Sequence, residues 1–484
     1  MRPLPSDSDS PKEACGLVGV YGVRKAVFPI YEGLFALQHR GQEGAGIVVS
    51  DGKTVRSSKG LGLVNHVFSR RPLRELRGSI GIGHVRYSTT GLPRIQNLQP
   101  IVFESSDGIW AIGHNGNLTN AFALRRMYQE AGAIFQTSTD SEVLIHLLAD
   151  PMYRTRPRRV ARALGELRGS FAFVLMTKDC VMAARDPMGF KPLSIGRLDG
   201  GYVFASETCA LTQIGATHER DVEPGELVVA DETGLHSSFF AERAPGCCLS
   251  QCIFEHVYFA RPDSIVFGRN VHTVRYQLGM RLAQEHPADA DVVIPVPDSG
   301  NSAALGFSRA SGIPLDYGFM RNHYVGRTFI MPDASQRARH VDRKLAVVPD
   351  VVRGRRVVVV DDSIIRGTTS RRRVSVLRGA GAKEVHVRIS CPPTMHPCFF
   401  GIDFPTEEEL AASGRSVDEV RQFLGADSVG YLSIDGLRSP FGGSKDFCVA
   451  CFSGEYPVEV AHMRGKDALE NPTPLLNFDA GRDG

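Results

Sequence analysis

The hydrophobic pattern changes period along the chain, and the changes divide it. Residues 15–22, CGLVGVYG, read as a strand that starts on its cysteine, and residues 28–39 have helical spacing. After the Gly-rich turn HRGQEGAG begins, residues 44–50 read as another strand. Two further apolar strands, 79–88 and 109–118, each run into a polar cluster, GHVRYSTTG and GHNGNLT. Helical spacing returns at 119–131 and 139–148, the second opening on STDSE, which offers several acceptors for a cap. From 170 to 229 apolar and polar residues alternate between turns such as RLDGG and DETG, as in an antiparallel sheet. Strands, then helices, then strands predict an α+β sandwich on antiparallel sheets.

The second half has a different rhythm. AERAPGCCLSQC supplies a Pro/Gly turn and marks the boundary. Residues 291–296 form an apolar strand running into PDSGNSAA, 384–389 form another, and between them lies R-VVVV-DDS-IIRG-TTS at 356–370. Four consecutive valines read as a short strand buried on both faces, which puts Asp361 and Asp362 at its carboxyl end. Gly367 permits a tight turn, Thr368 or Thr369 can cap a helix, and 371–377 supply its first turns. These β-α-β units predict an α/β domain with a doubly wound parallel sheet, whose strand-to-helix loops favour anionic ligands. Paired carboxylates in such a loop suit a hydrated Mg2+ or the hydroxyls of a ribose. The nucleotide P-loop pattern G-x-x-x-x-G-K-[ST] is absent from that loop.

Composition narrows the class. The 484 residues suffice for two or more domains, and 42% hydrophobic with 23% charged residues describes a soluble globular protein. A net charge of +3 argues against a nucleic-acid partner, and the basic runs at 154–162, 353–356 and 371–373 read as solvated faces. No apolar run approaches the roughly eighteen residues of a membrane helix. Residues 1–14, rich in Ser, Asp and Pro, carry no secretory pattern and read as disordered, so a cytoplasmic location is expected. Ten cysteines in so long a chain do not make a secreted disulfide scaffold. The C-x-x-C of Cys448 and Cys451 is open to three readings: a redox pair, half of a zinc site, or two core thiols.

The strings CGLVG, HRGQEGAG, GHVRYSTTG, HNGNL and TDSE resemble, in that order, the glutaminase domain of the N-terminal-nucleophile amidotransferases. The resemblance implies an αββα sandwich in which Cys15 is the thiolate nucleophile and its own α-amino group the base, so that residues 1–14 form a propeptide to be removed. It implies Asn115 and the Gly116 N–H as oxyanion donors, Arg86 as the clamp on the glutamine α-carboxylate, and Asp140 as the acceptor for the α-amino group. Arg40 is placed near this pocket. From the residues alone, His84, His114 and Asp140 could be offered as a Cys/His/Asp triad; the family uses no histidine base.

The string VDDSIIRGTTS resembles the phosphoribosyl-pyrophosphate (PRPP) signature of type I phosphoribosyltransferases, in the extended form of the glutamine PRPP amidotransferase family. That family implies Ser299, Asp361 and Asp362 at a Mg2+ site, with Gly367, Thr368 and Thr369 on the 5-phosphate. It makes 321–345 a flap over PRPP, with Arg327 and Lys344 near phosphates and no role assigned to His323. Cys252 and Cys398 fall in CIFEHVYF and HPCFFGID, which match the cluster-bearing branch, so Cys252, Cys398, Cys448 and Cys451 are implied ligands of a [4Fe-4S] cluster. Zinc is the alternative, and Cys247, Cys248 and Cys391 leave the ligand set open.

The expected organisation is propeptide 1–14, glutaminase domain 15–245, phosphoribosyltransferase domain with the iron–sulfur site 246–455, and C-terminal tail 456–484. The implied reaction hydrolyses glutamine, passes ammonia through an internal channel and displaces pyrophosphate from PRPP to give 5-phosphoribosylamine, the first committed step of purine synthesis. Family members are feedback-inhibited by purine nucleotides and are usually homotetramers. Rival readings are another N-terminal-cysteine amidotransferase, such as glucosamine-6-phosphate or asparagine synthetase, and a non-enzymatic PRPP-binding repressor. The PRPP signature at 357–370 argues against the first; against the second, a repressor is expected to carry a DNA-binding domain, whereas this chain opens on the glutaminase-like strings.

Overall fold

The computed structural model describes residues 15–68, 70–87, 94–105, 108–150, 159–241, 249–322, 345–404 and 406–460. They divide into two compact units. The first holds residues 15–241 together with Phe399–Ile402; the second holds 249–398 and 403–457.

In the first unit Gly16–Tyr21 runs antiparallel between Ile80–Arg86 and Gly201–Ala205 in a seven-stranded sheet. Gly169–Met176 lies likewise between Gly108–Leu118 and Val181–Arg185 in a six-stranded sheet. Three cores separate four layers. Leu17, Ala172, Val174 and Phe204 fill the space between the sheets. Val18 and Val20 pack outward against the helix Val27–Ala36. Phe171, Phe173 and Leu175 pack outward with Val143 and Leu147 of the helix Glu142–Ala149. Because neighbouring strand residues point to opposite faces, Leu17 and Val18 serve different cores, as do Phe173 and Val174. This is the αββα sandwich.

One pattern differs from expectation. The central strands Gly169–Met176 and Val181–Arg185 are buried at every position, with no polar alternation. Helices cover the outer face of this sheet, so the strands read as continuous apolar runs; alternation survives only in outlying strands such as Glu226–Asp231.

The second unit carries a four-stranded, wholly parallel sheet in the order Val292–Pro295, Arg356–Asp361, Glu384–Ile389, Ser428–Tyr431. Each strand is followed by a helix before the next: Asn301–Ser311, Thr368–Gly379 and Val417–Leu424. Val357 to Val360 are all buried, as a strand covered on both faces requires. A short parallel pairing sets Cys252 of Gln251–Cys252 opposite Cys448 of Phe447–Cys448. Among the described residues no helix is long and apolar enough to cross a membrane.

Candidate active site

Cys15 stands just before the strand Gly16–Tyr21 and is 7% exposed; its Sγ donates to the Tyr87 carbonyl at 3.5 Å. Its own carbonyl accepts Arg40 Nε at 3.3 Å. Arg40 is fully buried, and its Nη1 reaches Glu207 Oε1 at 2.5 Å, where His39 Nε2 also lies at 2.7 Å. Beside Glu207, the Ser206 hydroxyl accepts the Leu17 N–H at 3.0 Å, and the Ser206 N–H donates to the Leu17 carbonyl at 3.1 Å. The start of the strand is thus held by a charged pair that the local sequence did not reveal.

A cleft is lined by Cys15, Arg86, Gly116 and Asp140 together with Gln99 and His114. Four strings widely separated in sequence meet there. Arg86 ends the strand Ile80–Arg86 and donates through Nη1 to the Asn97 carbonyl. Asp140 is buried, and its Oδ2 accepts the Leu118 N–H at 2.9 Å. Burial pushes its carboxyl up, but the nearby His114 ring, the Leu118 N–H and the Ser141 hydroxyl outweigh that and hold it below its ordinary value. It is therefore an anion suited to an ammonium group.

The groups at Asn115 and Gly116 are equally defined. Asn115 is buried, and its Nδ2 has no hydrogen-bond partner among the described residues. An orphaned buried amide costs about 1–3 kcal/mol unless something binds to it. Gly116 follows with φ +150°, and a Cβ there would meet the Ser170 carbonyl oxygen at 2.0 Å, so the position admits only glycine.

The histidines belong to the scaffold. His84 Nε2 lies 3.0 Å from the His114 carbonyl, and burial pushes its pKa down to about 3. His114 Nδ1 lies 2.8 Å from Ser141 Oγ, and its ring stacks on Phe173 with centroids 4.4 Å apart. The expected cap of the helix Glu142–Ala149 is corrected here: Ser141 makes no side-chain cap bond. Its hydroxyl is engaged by His114 and by Gln99 Nε2 at 3.2 Å instead. Glu142, the last residue of the TDSE string, accepts the Gln136 and Thr137 N–H groups, each at 2.7 Å, and so fixes the loop that carries Asp140.

In the second unit, Asp361 and Asp362 are buried at the carboxyl end of Arg356–Asp361. Ser299, from the loop after the adjacent strand, donates its hydroxyl to Asp362 Oδ2, and Ser363 donates to Oδ1. Arg373 pairs with Asp361. Burial raises the Asp361 pKa, the Arg373 charge opposes this, and the Asp362 charge adds to it. A carboxylate pair strained in this way, with a hydroxyl beside it, fits a hydrated divalent cation.

The cap of the following helix differs from expectation. Gly367, at φ +78°, is the N-cap of Thr368–Gly379 and makes no side-chain bond, so Thr368 and Thr369 are its first helical residues rather than caps. The left-handed turn demands glycine, and the first N–H groups of the helix lie where an anion can take them. Arg327, Lys344 and His323 lie outside the described residues, as do Cys247, Cys248 and residues 1–14.

The expected thiols influence one another. Cys451 is buried, and its thiol is pushed far up by burial first and then by the charges of Cys398, Cys448 and Cys252, with Cys391 adding less. Among the described residues no three His, Cys, Asp or Glu side chains are set closely enough to hold an ion as they stand. Cys252 and Cys448 face each other across their short ladder, and thiol donors of this kind suit a soft metal or an iron–sulfur cluster.

Residues 84–213 match the family model of the glutamine amidotransferase domain, which defines the class of the first unit. The chain is 49% identical to the amidophosphoribosyltransferase of Bacillus subtilis, over 93% of its own length and 95% of that protein. It is 48% identical to the amidophosphoribosyltransferase of Methanocaldococcus jannaschii, over 92% of its own length and 98% of that protein. The solved B. subtilis glutamine PRPP amidotransferase, complexed with ADP and GMP, superposes with a TM-score of 0.85 at 48% identity and covers 92% of this chain and 98% of that one. The chain belongs to the amidophosphoribosyltransferase family.

Glu207→Gln is expected to destabilise the first unit by about 3–5 kcal/mol, because it strands the buried Arg40 guanidinium. Replacing both members with apolar residues, as in Arg40→Met with Glu207→Leu, should recover most of that loss in denaturant unfolding. An equal loss in the single and double variants would contradict the pairing.

Proposed function

We infer that this chain hydrolyses glutamine at Cys15 and transfers the released ammonia to PRPP, giving 5-phosphoribosylamine, glutamate and pyrophosphate in purine biosynthesis. The observation that carries this reading is the cleft that brings Cys15, Arg86, Gly116 and Asp140 together. Arg86 and the ionised Asp140 suit the two charges of an amino acid's backbone end, which leaves the side-chain carboxamide for the thiol.

In this reading the Cys15 thiolate attacks the carboxamide carbon and the carbonyl π electrons move to oxygen. Asn115 Nδ2 and the Gly116 N–H receive the oxyanion, an arrangement in which each donor is worth about 10²–10³ in rate. Collapse expels ammonia, protonated by the Cys15 α-amino group that took the thiol proton, and water then releases glutamate from the thioester. The amine exists only if Cys15 is the first residue, so residues 1–14 are a propeptide.

In the second unit the Gly367 turn and the N–H groups of Thr368 and Thr369 take the 5-phosphate, and Arg327 and Lys344 complete the phosphate contacts. Ser299, Asp361 and Asp362 hold Mg2+, which would neutralise the departing pyrophosphate. Ammonia forms the new C–N bond as the C–O bond to pyrophosphate breaks. Cys252, Cys398, Cys448 and Cys451 hold a [4Fe-4S] cluster that ties chain segments together. The B. subtilis relative was solved with ADP and GMP, and purine nucleotides as feedback inhibitors of a cytoplasmic homotetramer extend the same reading.

Cys15→Ala should lower glutamine-dependent synthesis by more than about 1,000-fold while ammonia-dependent synthesis persists; loss of both would argue against two separable sites. Protein purified without oxygen should contain iron and acid-labile sulfide in about equal amounts. Stoichiometric zinc without iron would refute the cluster.

A further inference from the structure

Phe399–Ile402 is counted with the first unit although the chain on either side of it belongs to the second. It forms a strap against the polar ends of two strands. The Phe399 carbonyl accepts Asn117 Nδ2 at 3.0 Å, and the Phe400 carbonyl accepts the Ser170 hydroxyl at 2.9 Å. Asn117 and Ser170 are partners across the ladder between Gly108–Leu118 and Gly169–Met176. The Phe400 ring stacks on the buried Phe190 with centroids 4.5 Å apart.

The next residue makes the closest approach. Gly401 has φ +93°, and a Cβ built on it would lie 3.1 Å from the Gly116 carbonyl carbon and 3.2 Å from its Cα. Those atoms are backbone, with little freedom to retreat. A Cβ on Gly116 would in turn meet the Ser170 carbonyl oxygen at 2.0 Å. Gly116 is therefore in close contact with both the ladder and the strap. Two asparagines flank Gly116 and are used differently: Asn117 commits its amide to the strap, whereas Asn115 keeps Nδ2 without a partner among the described residues.

We propose that the strap 399–402 is the positioning element of the oxyanion site: it closes against Gly116, holds Asn117 and Ser170, and so fixes the donors at Asn115 and Gly116 against the developing charge. The inference rests on Cys15 as nucleophile and on those two residues as donors. Its physical basis is the narrow range, about 2.7–3.1 Å from the oxyanion, in which such donors are effective. A displaced donor weakens the transition state and leaves substrate binding through Arg86 and Asp140 intact. The strap residues touch no reacting atom.

The test compares Ser170→Ala, Gly401→Ala and Cys15→Ala with the wild-type enzyme. Glutamine-dependent kcat and KM, ammonia-dependent synthesis, and the affinities for glutamate γ-semialdehyde and glutamate are measured. The semialdehyde forms a thiohemiacetal with the thiol and puts an oxygen at the oxyanion position; glutamate does not. Gly401→Ala also strains its own backbone, so Ser170→Ala, which deletes a single bond to the strap, is the deciding variant. The expected result is a glutamine-dependent kcat lower by about tenfold in Gly401→Ala and by severalfold in Ser170→Ala. KM should stay within about twofold, ammonia-dependent synthesis should be unchanged, and semialdehyde affinity should fall while glutamate affinity holds. Wild-type kcat in both variants, or parallel loss of the glutamine and ammonia reactions, overturns the inference. If Cys15→Ala retains glutaminase activity, the nucleophile reading fails and the strap inference with it. If Cys15→Ala is inactive while the other two match wild type, the strap inference alone fails.

Discussion

Cys15 stands immediately before the strand Gly16–Tyr21, and the ladder that orders the strand begins only at Gly16, so it cannot by itself hold the residue before it. Here the Cys15 carbonyl is taken by Arg40, and Arg40 is neutralised by Glu207, both fully buried. A charge pair in such surroundings is expensive to desolvate and gives little net stability. What it provides is a fixed direction. With the Cys15 carbonyl held by Arg40 and Leu17 bonded through its N–H and its carbonyl to Ser206, the backbone on either side of Gly16 is fixed. In the proposed reaction Arg86 and Asp140 would hold glutamine against a nucleophile so placed.

The two sites solve opposite electrostatic problems. In the first unit the buried Asp140 is kept ionised by a ring and two hydrogen-bond donors, and so offers a negative charge ready for an ammonium. In the second, burial and a neighbouring carboxylate push Asp361 the other way, and Arg373 compensates only partly. In the proposed reaction a divalent cation would complete this carboxylate pair. The parallel sheet fixes where this occurs, because Ser299 and Asp361 follow adjacent strands at their carboxyl ends.

Much of this was legible in the sequence because short strings carried it. The strand 44–50 and the four valines lie where their patterns placed them, and the strands expected at 79–88 and 109–118 form at Ile80–Arg86 and Gly108–Leu118. The shortfalls have physical causes. Helices on the outer face of the six-stranded sheet erased the polar alternation expected at 170–185. Ser141 looked like a cap but serves His114, and Gly367 took the cap that Thr368 or Thr369 was expected to supply. Glu207 and the strap at Phe399–Ile402 act across sequence separations that no local pattern encodes.

The central claim is that the chemistry of the first unit depends on Cys15 being a chain terminus with a basic amine beside its thiol. Intact-mass measurement of enzyme that is turning over glutamine tests this most directly. The account predicts chains that begin at Cys15; full glutaminase activity in chains that retain residues 1–14 would contradict it.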